Sequence, residues 1–478
     1  MNIRIISYII GWVLNCEAAC LLLPLVCAFI YDEPCAMVFA MCIALCLLAG
    51  VALTFKPPAK RSMYSREGFI TVALSWIVIS LFGALPFYFS GYIKNFIDAV
   101  FETVSGFTTT GASILTDVEV LPKSLLFWRS FTHWIGGMGV LVFLVAILPL
   151  SGGDNFHLIR AESPGPSVSK LVPKVGASAK ILYGIYILLT VIQTVLMLLG
   201  GLSLFEALTL TFGTAGTGGF AILNSGLATY SPYIQNVVTV FMIMFGIDFT
   251  VYYLILIGKL RLSTLSDEVK AYLGIIFTAI VIISINCRGL FSGVSELVRH
   301  VAFQVGSIIT TTGYSTTDFD KWPELSKTIL VLLMLIGACA GSTGGGIKVS
   351  RIMILIKSIA KEIKIAAHPK STHKITMNKR PVEHETIRAV NVFIASYLLI
   401  FVASVLIISI DNNDFTTNFT AVAATINNIG PGLAKVGPTA NFSLYSPLST
   451  VVLTFDMLVG RLEIFPMLIL FSPYTWRK

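Results

Sequence analysis

The sequence predicts an all-α polytopic membrane protein. Four parallel membrane–pore-loop–membrane repeats surround a central pore, and an N-terminal two-helix hairpin precedes them. Three observations carry this. Of 478 residues, 55% are hydrophobic and only 12% charged, and the mean hydropathy is +0.84; a soluble domain carries about 25% charged residues. Long apolar runs such as 181–199 and 390–410 have helix length, unlike the alternating strands of roughly ten residues in a membrane barrel. Finally, the stretch Phe101-Glu102-Thr103-Val104-Ser105-Gly106-Phe107-Thr108-Thr109-Thr110-Gly111-Ala112 returns in altered form at 205–220, 303–316 and 419–432. A period of roughly one hundred residues in a membrane chain marks a repeated membrane module.

The elements follow in order. Residues 1–66 form the N-terminal hairpin and a basic linker, with spans at 5–30 and 35–55. The first apolar run is longer than a signal-peptide core and shows no clear cleavage site, so it reads as a retained span. Lys56, Lys60, Arg61 and Arg66 place the following loop in the cytoplasm. Repeat 1 is 67–165: an outward span at 69–90, a half-helix at 95–108 too short to cross, an extended loop at 109–112, and a return span at 125–150. Repeat 2, 166–265, repeats the plan with 181–202, 204–212, 214–220 and 233–257. Repeat 3, 266–375, uses 269–286, 294–308 and 310–316, then a return helix from 325. Repeat 4, 376–478, uses 390–410, 416–425, 427–432 and 448–470. Ten spans and four half-helices result, with both termini cytoplasmic. Basic residues gather at Arg160, Lys170, Lys174 and Lys180, at Lys259 and Arg261, and along 357–388, while the outer loop 223–232 carries no charge. The net charge of +8 therefore reflects topology, not nucleic-acid binding. Six of the eight cysteines precede position 47 without zinc-like spacing and read as small apolar filler.

Irregular backbone at membrane depth is tolerated only where it is buried or lines a watery cavity. Four such loops on one axis can turn carbonyls inward to replace an ion's hydration shell. The half-helix C-termini add partial negative charge at the same point. The expected ion-binding residues are Thr109, Thr110 and Gly111; Gly216, Thr217 and Gly218; Thr311, Thr312 and Gly313; and Asn428, Ile429 and Gly430. Threonine hydroxyls are expected to add oxygens. No Asp or Glu lies in 108–113, 214–220, 310–316 or 427–432, which favours a monovalent cation over a divalent one. Thr311-Thr312-Gly313-Tyr314 is close to the Thr-Val-Gly-Tyr-Gly filter of potassium channels. Helix-packing glycines are the alternative reading. Four copies, each between a non-spanning and a spanning segment, favour the filter.

These loops, together with Gly337-Ala338-Cys339-Ala340-Gly341-Ser342-Thr343-Gly344-Gly345-Gly346-Ile347-Lys348 and Gly460-Arg461-Leu462-Glu463, make the chain resemble the Trk/Ktr/HKT potassium transporter superfamily. Within it, the chain resembles the bacterial TrkH-type membrane subunit over essentially its whole length. The resemblance implies potassium uptake, a homodimer, and a bacterial cytoplasmic (inner) membrane location. It also implies a cytosolic TrkA-type regulatory subunit that carries the nucleotide, so that this chain binds no cofactor of its own. A glycine in all four loops implies potassium over sodium.

The stretch 337–347 interrupts the third return helix, since each glycine costs ~1 kcal/mol in a helix against alanine. It is expected to unwind across the pathway as a gating loop, as the family's does, with Gly341, Gly344, Gly345, Gly346 and Lys348 in the gate. The P-loop pattern is not met, because Ile347 separates Gly346 from Lys348. Arg461 lies too deep to snorkel and needs a partner. Carbonyls of the gating loop are the expected one, with Asp456 and Glu463 as alternatives. Asp248 is a candidate vestibule acid, and Glu17 is unexplained. The six histidines show no HExxH pattern and no catalytic grouping, so an enzyme is not expected. A sodium-selective or sodium-coupled transporter on the same scaffold is the near alternative. A non-transporting subunit whose basic 357–388 segment binds a partner or membrane lipid is the distant one.

Overall fold

The computed structural model describes residues 2–58, 64–139, 175–258, 266–369 and 373–476. It is mostly helical. The N-terminal hairpin is α1 (Ile3–Cys20), continued as α2 (Leu22–Ile30), with α3 (Ala36–Thr54). Helices α1 and α3 pack together, and α1 also lies on α4 (Ser65–Gly83), the outward helix of the first module. Gly11 and Gly50 permit this contact, because a Cβ at Gly11 would sit 2.8 Å from the Gly50 carbonyl oxygen.

A short helix α5 (Leu85–Phe89) leads to the first half-helix, α6 (Phe96–Phe107), and α7 (Lys123–Gly137) begins the return. The second module is α8 (Val175–Leu199), half-helix α9 (Leu204–Ala215), and α10 (Pro232–Phe245) with α11 (Phe249–Leu256). The third is α12 (Asp267–Asn286), half-helix α13 (Val294–Ile309), and α14 (Glu324–Ile336) with α15 (Val349–Ala367). The fourth is α16 (His384–Ile408), half-helix α17 (Phe415–Ile426), α18 (Pro447–Arg461) and α19 (Phe465–Phe471), before a final turn α20 (Pro473–Trp476). A two-stranded hairpin, β1 (Thr376–Met377) and β2 (Arg380–Pro381), lies between α15 and α16.

Three of the four half-helices start at a side-chain cap; the third starts at Gly293 without one. Asn95 accepts from the Ile97 N–H, Ser203 and Glu206 form a capping box, and Asp414 accepts from the Thr417 N–H. At 12 to 16 residues each spans about 18–24 Å, short of the ~30 Å hydrocarbon core.

The modules close in a ring. Return helix α7 packs on half-helix α9 of module 2, α10 on α13 of module 3, α14 on α17 of module 4, and α18 back on α6 of module 1. Each half-helix is thus buried between its own module and the preceding one, and its C-terminal end points at the shared centre.

Among the described residues, six helices are long and apolar enough to cross a membrane, or seven if α10 and α11 count as one bent span. Ten spans are expected from the sequence. The difference lies in the return segments, only the third of which is expected to break. The second bends by 91° between Phe245 and Phe249. The fourth breaks after Arg461, where Glu463 and Ile464 have φ of 55° and 69°. Helix α7 ends at Gly137, and the remainder of that expected span, 140–150, lies outside the described residues. So do Lys60, Arg61, Arg160, Lys170, Lys174, Lys259 and Arg261. The eight cysteines are all free.

Candidate ion pathway

Each half-helix ends in the same backbone figure. Thr109, Thr217, Thr311 and Asn428 adopt left-handed φ of 56°, 54°, 59° and 55°, and two residues later Gly111, Gly219, Gly313 and Gly430 have φ of 77°, 77°, 83° and 95°. Left-handed φ is uncommon for threonine, and its recurrence at one position in every module fixes the alignment of the four loops. The alignment corrects one expectation: Gly219, not Gly218, matches Gly111, Gly313 and Gly430. Gly218 takes the place of Thr110, Thr312 and Ile429, and Gly216 ends its half-helix as Thr108, Thr310 and Asn427 end theirs.

The amides of these loops turn back onto the half-helices. Thr110 N–H donates to the Ser105 carbonyl at 2.9 Å, Gly218 to Gly213 at 2.8 Å, Thr312 to Ser307 at 2.8 Å and Ile429 to Ala424 at 2.9 Å. One residue earlier, Thr109 donates to Gly106, Thr217 to Thr214, Thr311 to Ile308 and Asn428 to Thr425, at 3.0–3.1 Å. In a trans peptide the carbonyl points opposite to the N–H of the next residue. Carbonyls 108–109, 216–217, 310–311 and 427–428 therefore face away from the half-helices. The loops also touch in a closed cycle. A Cβ on Gly111 would collide with the Gly218 carbonyl oxygen, on Gly219 with that of Thr312, on Gly313 with that of Ile429, and on Gly430 with that of Thr110. Glycine is required here twice over, by φ and by space.

The threonine hydroxyls, expected to supply further oxygens, are held by protein. Thr110 Oγ1 lies 2.8 Å from Thr108 Oγ1, Thr312 Oγ1 2.8 Å from Thr310 Oγ1, and Thr217 donates to the Gly216 carbonyl at 2.6 Å.

Neighbouring loops are braced differently at each junction. Between modules 1 and 2, buried Arg129 pairs with Glu102 at 2.6 Å, donates to the Ala221 carbonyl at 2.9 Å and lies over the Phe220 ring. Glu102 also accepts from the Ile114 N–H at 2.9 Å and from Ser113. His133 bridges the same junction, with Nδ1 2.7 Å from the Gly106 carbonyl and Nε2 accepting from the Phe220 N–H at 3.2 Å. Between modules 2 and 3, the Tyr314 hydroxyl donates to the Leu210 carbonyl at 3.1 Å. Between 3 and 4, Asp320 accepts from the Ala434 N–H at 3.1 Å. Between 4 and 1, Asn428 Nδ2 donates to Thr110 Oγ1 at 2.9 Å. Sequence reasoning missed Glu102, Arg129 and His133 as a group. The available signal was two opposite charges set in apolar segments, which need each other there.

The third return helix ends at Gly337, φ 75°, and 337–347 crosses without helix before α15 begins. The Gly345 N–H donates to Thr311 Oγ1 at 2.6 Å. A Cβ at Gly344 would lie 2.9 Å from the Thr310 carbonyl oxygen, and one at Gly345 2.5 Å from that of Asn427. The stretch thus lies directly against the filter-like loops of modules 3 and 4. Gly341 and Gly346 have φ of 76° and 77°. Lys348, itself at φ 85° and buried, donates Nζ to the Gly344 carbonyl. Arg461 donates to the Thr343 carbonyl at 2.8 Å, the Gly137 carbonyl at 2.7 Å and the Gly136 carbonyl. One guanidinium therefore ties modules 1, 3 and 4 together under the loops. The alternative partners are otherwise engaged: Glu463 pairs with Arg351, and Asp456 accepts from Ser404 at 2.7 Å. Asp248 caps α11, accepting from the Thr250 N–H at 2.9 Å, beside Gly341. Glu17 is buried in α1, against Gly83 of α4.

Four buried half-helices whose loops meet in one ring, with a glycine-rich crossing pinned beneath, define a pore-loop membrane transport protein and not an enzyme. The family model described as "TrkH: Cation transport protein" matches residues 35–279 and 272–477, and the chain belongs to that family. It is 36% identical over 485 residues to the Trk system potassium uptake protein TrkH of Escherichia coli K12, covering both chains completely. It is 33% identical to the TrkG protein of the same organism, over 100% of this chain and 99% of that one. The crystal structure of the potassium transporter TrkH from Vibrio parahaemolyticus superposes with a TM-score of 0.90 at 32% identity, covering both chains completely.

Proposed function

We propose that the chain takes up potassium across the bacterial cytoplasmic membrane through a selectivity filter made of backbone carbonyls from the four loops. The observation that carries this is the closed cycle of Gly111, Gly219, Gly313 and Gly430, each against the next module's carbonyl. A neutral ring of carbonyls with no carboxylate suits an alkali cation that must both enter and leave. The 337–347 stretch is the gate, held shut by Arg461, Lys348 and Thr311. The names of the relatives, potassium uptake proteins, support the ion. The working unit is a homodimer with a TrkA-type cytosolic subunit that carries the regulating nucleotide, and both termini are cytoplasmic.

The test is potassium and sodium flux through purified protein in liposomes, wild type against Gly313→Ser. A side chain at φ 83° that strikes the Ile429 carbonyl displaces one quarter of the ring. The preference for potassium should erode, and Gly219→Ser should do the same. Equal passage of both ions by wild type, unchanged in Gly313→Ser, would make the glycines packing elements and sink the filter reading.

A further inference from the structure

Helix α15, which carries the glycine-rich crossing toward the cytoplasm, begins without a cap of its own. Its N-cap position is Lys348, whose side chain makes no capping bond, and a cation is the wrong charge for a helix N-terminus. The missing acceptor comes from elsewhere. Glu268, in the first turn of α12, accepts from the Ser350 N–H at 3.1 Å on its Oε1. The same oxygen accepts from the Ala340 N–H at 2.8 Å. One carboxylate oxygen thus clasps both ends of the crossing: Ala340 near its start and Ser350 just past its finish.

Glu268 is itself set by a cytoplasmic element. Helix α12 also lacks a side-chain cap from its own N-cap residue, Ser266. The turn of the β1–β2 hairpin supplies one. Asn378 Oδ1 accepts from the Asp267 N–H at 2.7 Å, and the Asn378 N–H donates to Asp267 Oδ2 at 2.8 Å. This reciprocal pair sits one residue before Glu268. The hairpin is held to α15 as well, where Lys357 Nζ donates to the Thr376 carbonyl at 2.8 Å. The hairpin tip is exposed and basic, with Lys379 and Arg380.

We propose that Glu268 is a positioning residue for the gate. It holds the 337–347 crossing closed by capping α15 in trans, and the Asn378 turn is the cytoplasmic handle that keeps Glu268 in place. The inference rests on the gate reading of that crossing. Displacing the hairpin frees the first turn of α12, withdraws the carboxylate, and leaves Ala340 and Ser350 without their shared acceptor.

Cys339, buried inside the crossing, serves as reporter. In a background with the other seven cysteines replaced by alanine, full-length protein in liposomes is labelled with a methanethiosulfonate reagent, and potassium and sodium fluxes are measured in parallel. Glu268→Ala should label Cys339 about tenfold faster and raise potassium flux with the potassium-to-sodium ratio unchanged. Tenfold corresponds to ~1.4 kcal/mol, close to one hydrogen bond to a charged group. Glu268→Gln keeps an acceptor without the charge and should fall between, which also covers the case where Glu268→Ala folds poorly. Asn378→Ala should give a smaller rise, and the double variant no more than Glu268→Ala alone. Unchanged labelling in Glu268→Gln and Glu268→Ala overturns the proposal. So does full additivity with Asn378→Ala, which would make the two sites independent. Faster labelling with unchanged flux overturns the gate reading itself and leaves Glu268 a structural clamp. A changed ion ratio with unchanged labelling places Glu268 with the filter and also refutes the proposal.

Discussion

Arg461→Met removes a guanidinium that donates to carbonyls of Thr343, Gly136 and Gly137 while keeping most of the aliphatic stem. Of these three bonds, the one to Thr343, at 2.8 Å, reaches the crossing stretch, and it is the one counted toward releasing the gate. A hydrogen bond to a charged group contributes about 1.5–3 kcal/mol. Its loss shifts the balance between closed and released crossing by roughly ten- to 150-fold. The crossing remains tethered through Gly345 to Thr311, so the filter side should stay in place. The assay is potassium flux into liposomes without any partner subunit, with sodium flux alongside. Flux should rise at least about tenfold with the ion ratio preserved. Arg461→Lys should fall between, since an ammonium cannot hold three carbonyls in one plane as a guanidinium fork can. Flux equal to wild type in well-folded Arg461→Met would refute the reasoning, and so would a collapse of selectivity, which would place Arg461 with the filter and not the gate.

Breaking the Glu102–Arg129 pair should be costly. Glu102→Gln or Arg129→Met leaves a buried partner uncompensated, at about 3–5 kcal/mol, visible as a lower thermal midpoint in detergent. The double variant Glu102→Gln/Arg129→Met should recover part of that loss. Between the loops that follow α6 and α9, Asn224 donates to Asp117 at 2.7 Å, and this bond, with the Glu119 N–H, holds the Asp117 carboxyl below its ordinary 3.8. A depressed carboxylate contributes stability that is complete above its unfolded pKa and is lost as pH falls through the folded value. The union of these two loops should therefore not change between about pH 8 and pH 5 and should loosen only in stronger acid. Limited proteolysis of those loops across that range would test it.

The module plan was legible because it rests on local signals. The half-helix runs are too short to cross, and each is followed by a run of small and polar residues that recurs about every hundred positions. The exact register of the second loop was not legible. Gly216, Gly218 and Gly219 stand close together, and only φ at Thr217 tells which one takes the place of Gly111. Breaks in the second and fourth return helices were hidden for a different reason. In the second, the Phe249 N–H is taken by the Gly341 carbonyl at 3.1 Å, a partner nearly a hundred positions away. In the fourth, Leu462, Glu463 and Ile464 are not helix breakers by composition. The Gly337–Gly346 interruption was legible because its glycines act within the helix they break. The capping of α15 by Glu268 was not, because donor and acceptor come from different helices.

The four junctions between loops use an ion pair with a histidine, a tyrosine, an aspartate and an asparagine. A channel assembled from four identical subunits cannot do this, because any substitution there appears at every corner. Here one codon alters a single corner while the other three keep their geometry. Changes too severe for a symmetric pore can then be sampled one quadrant at a time. The geometry of each corner becomes a property that can drift independently along one gene.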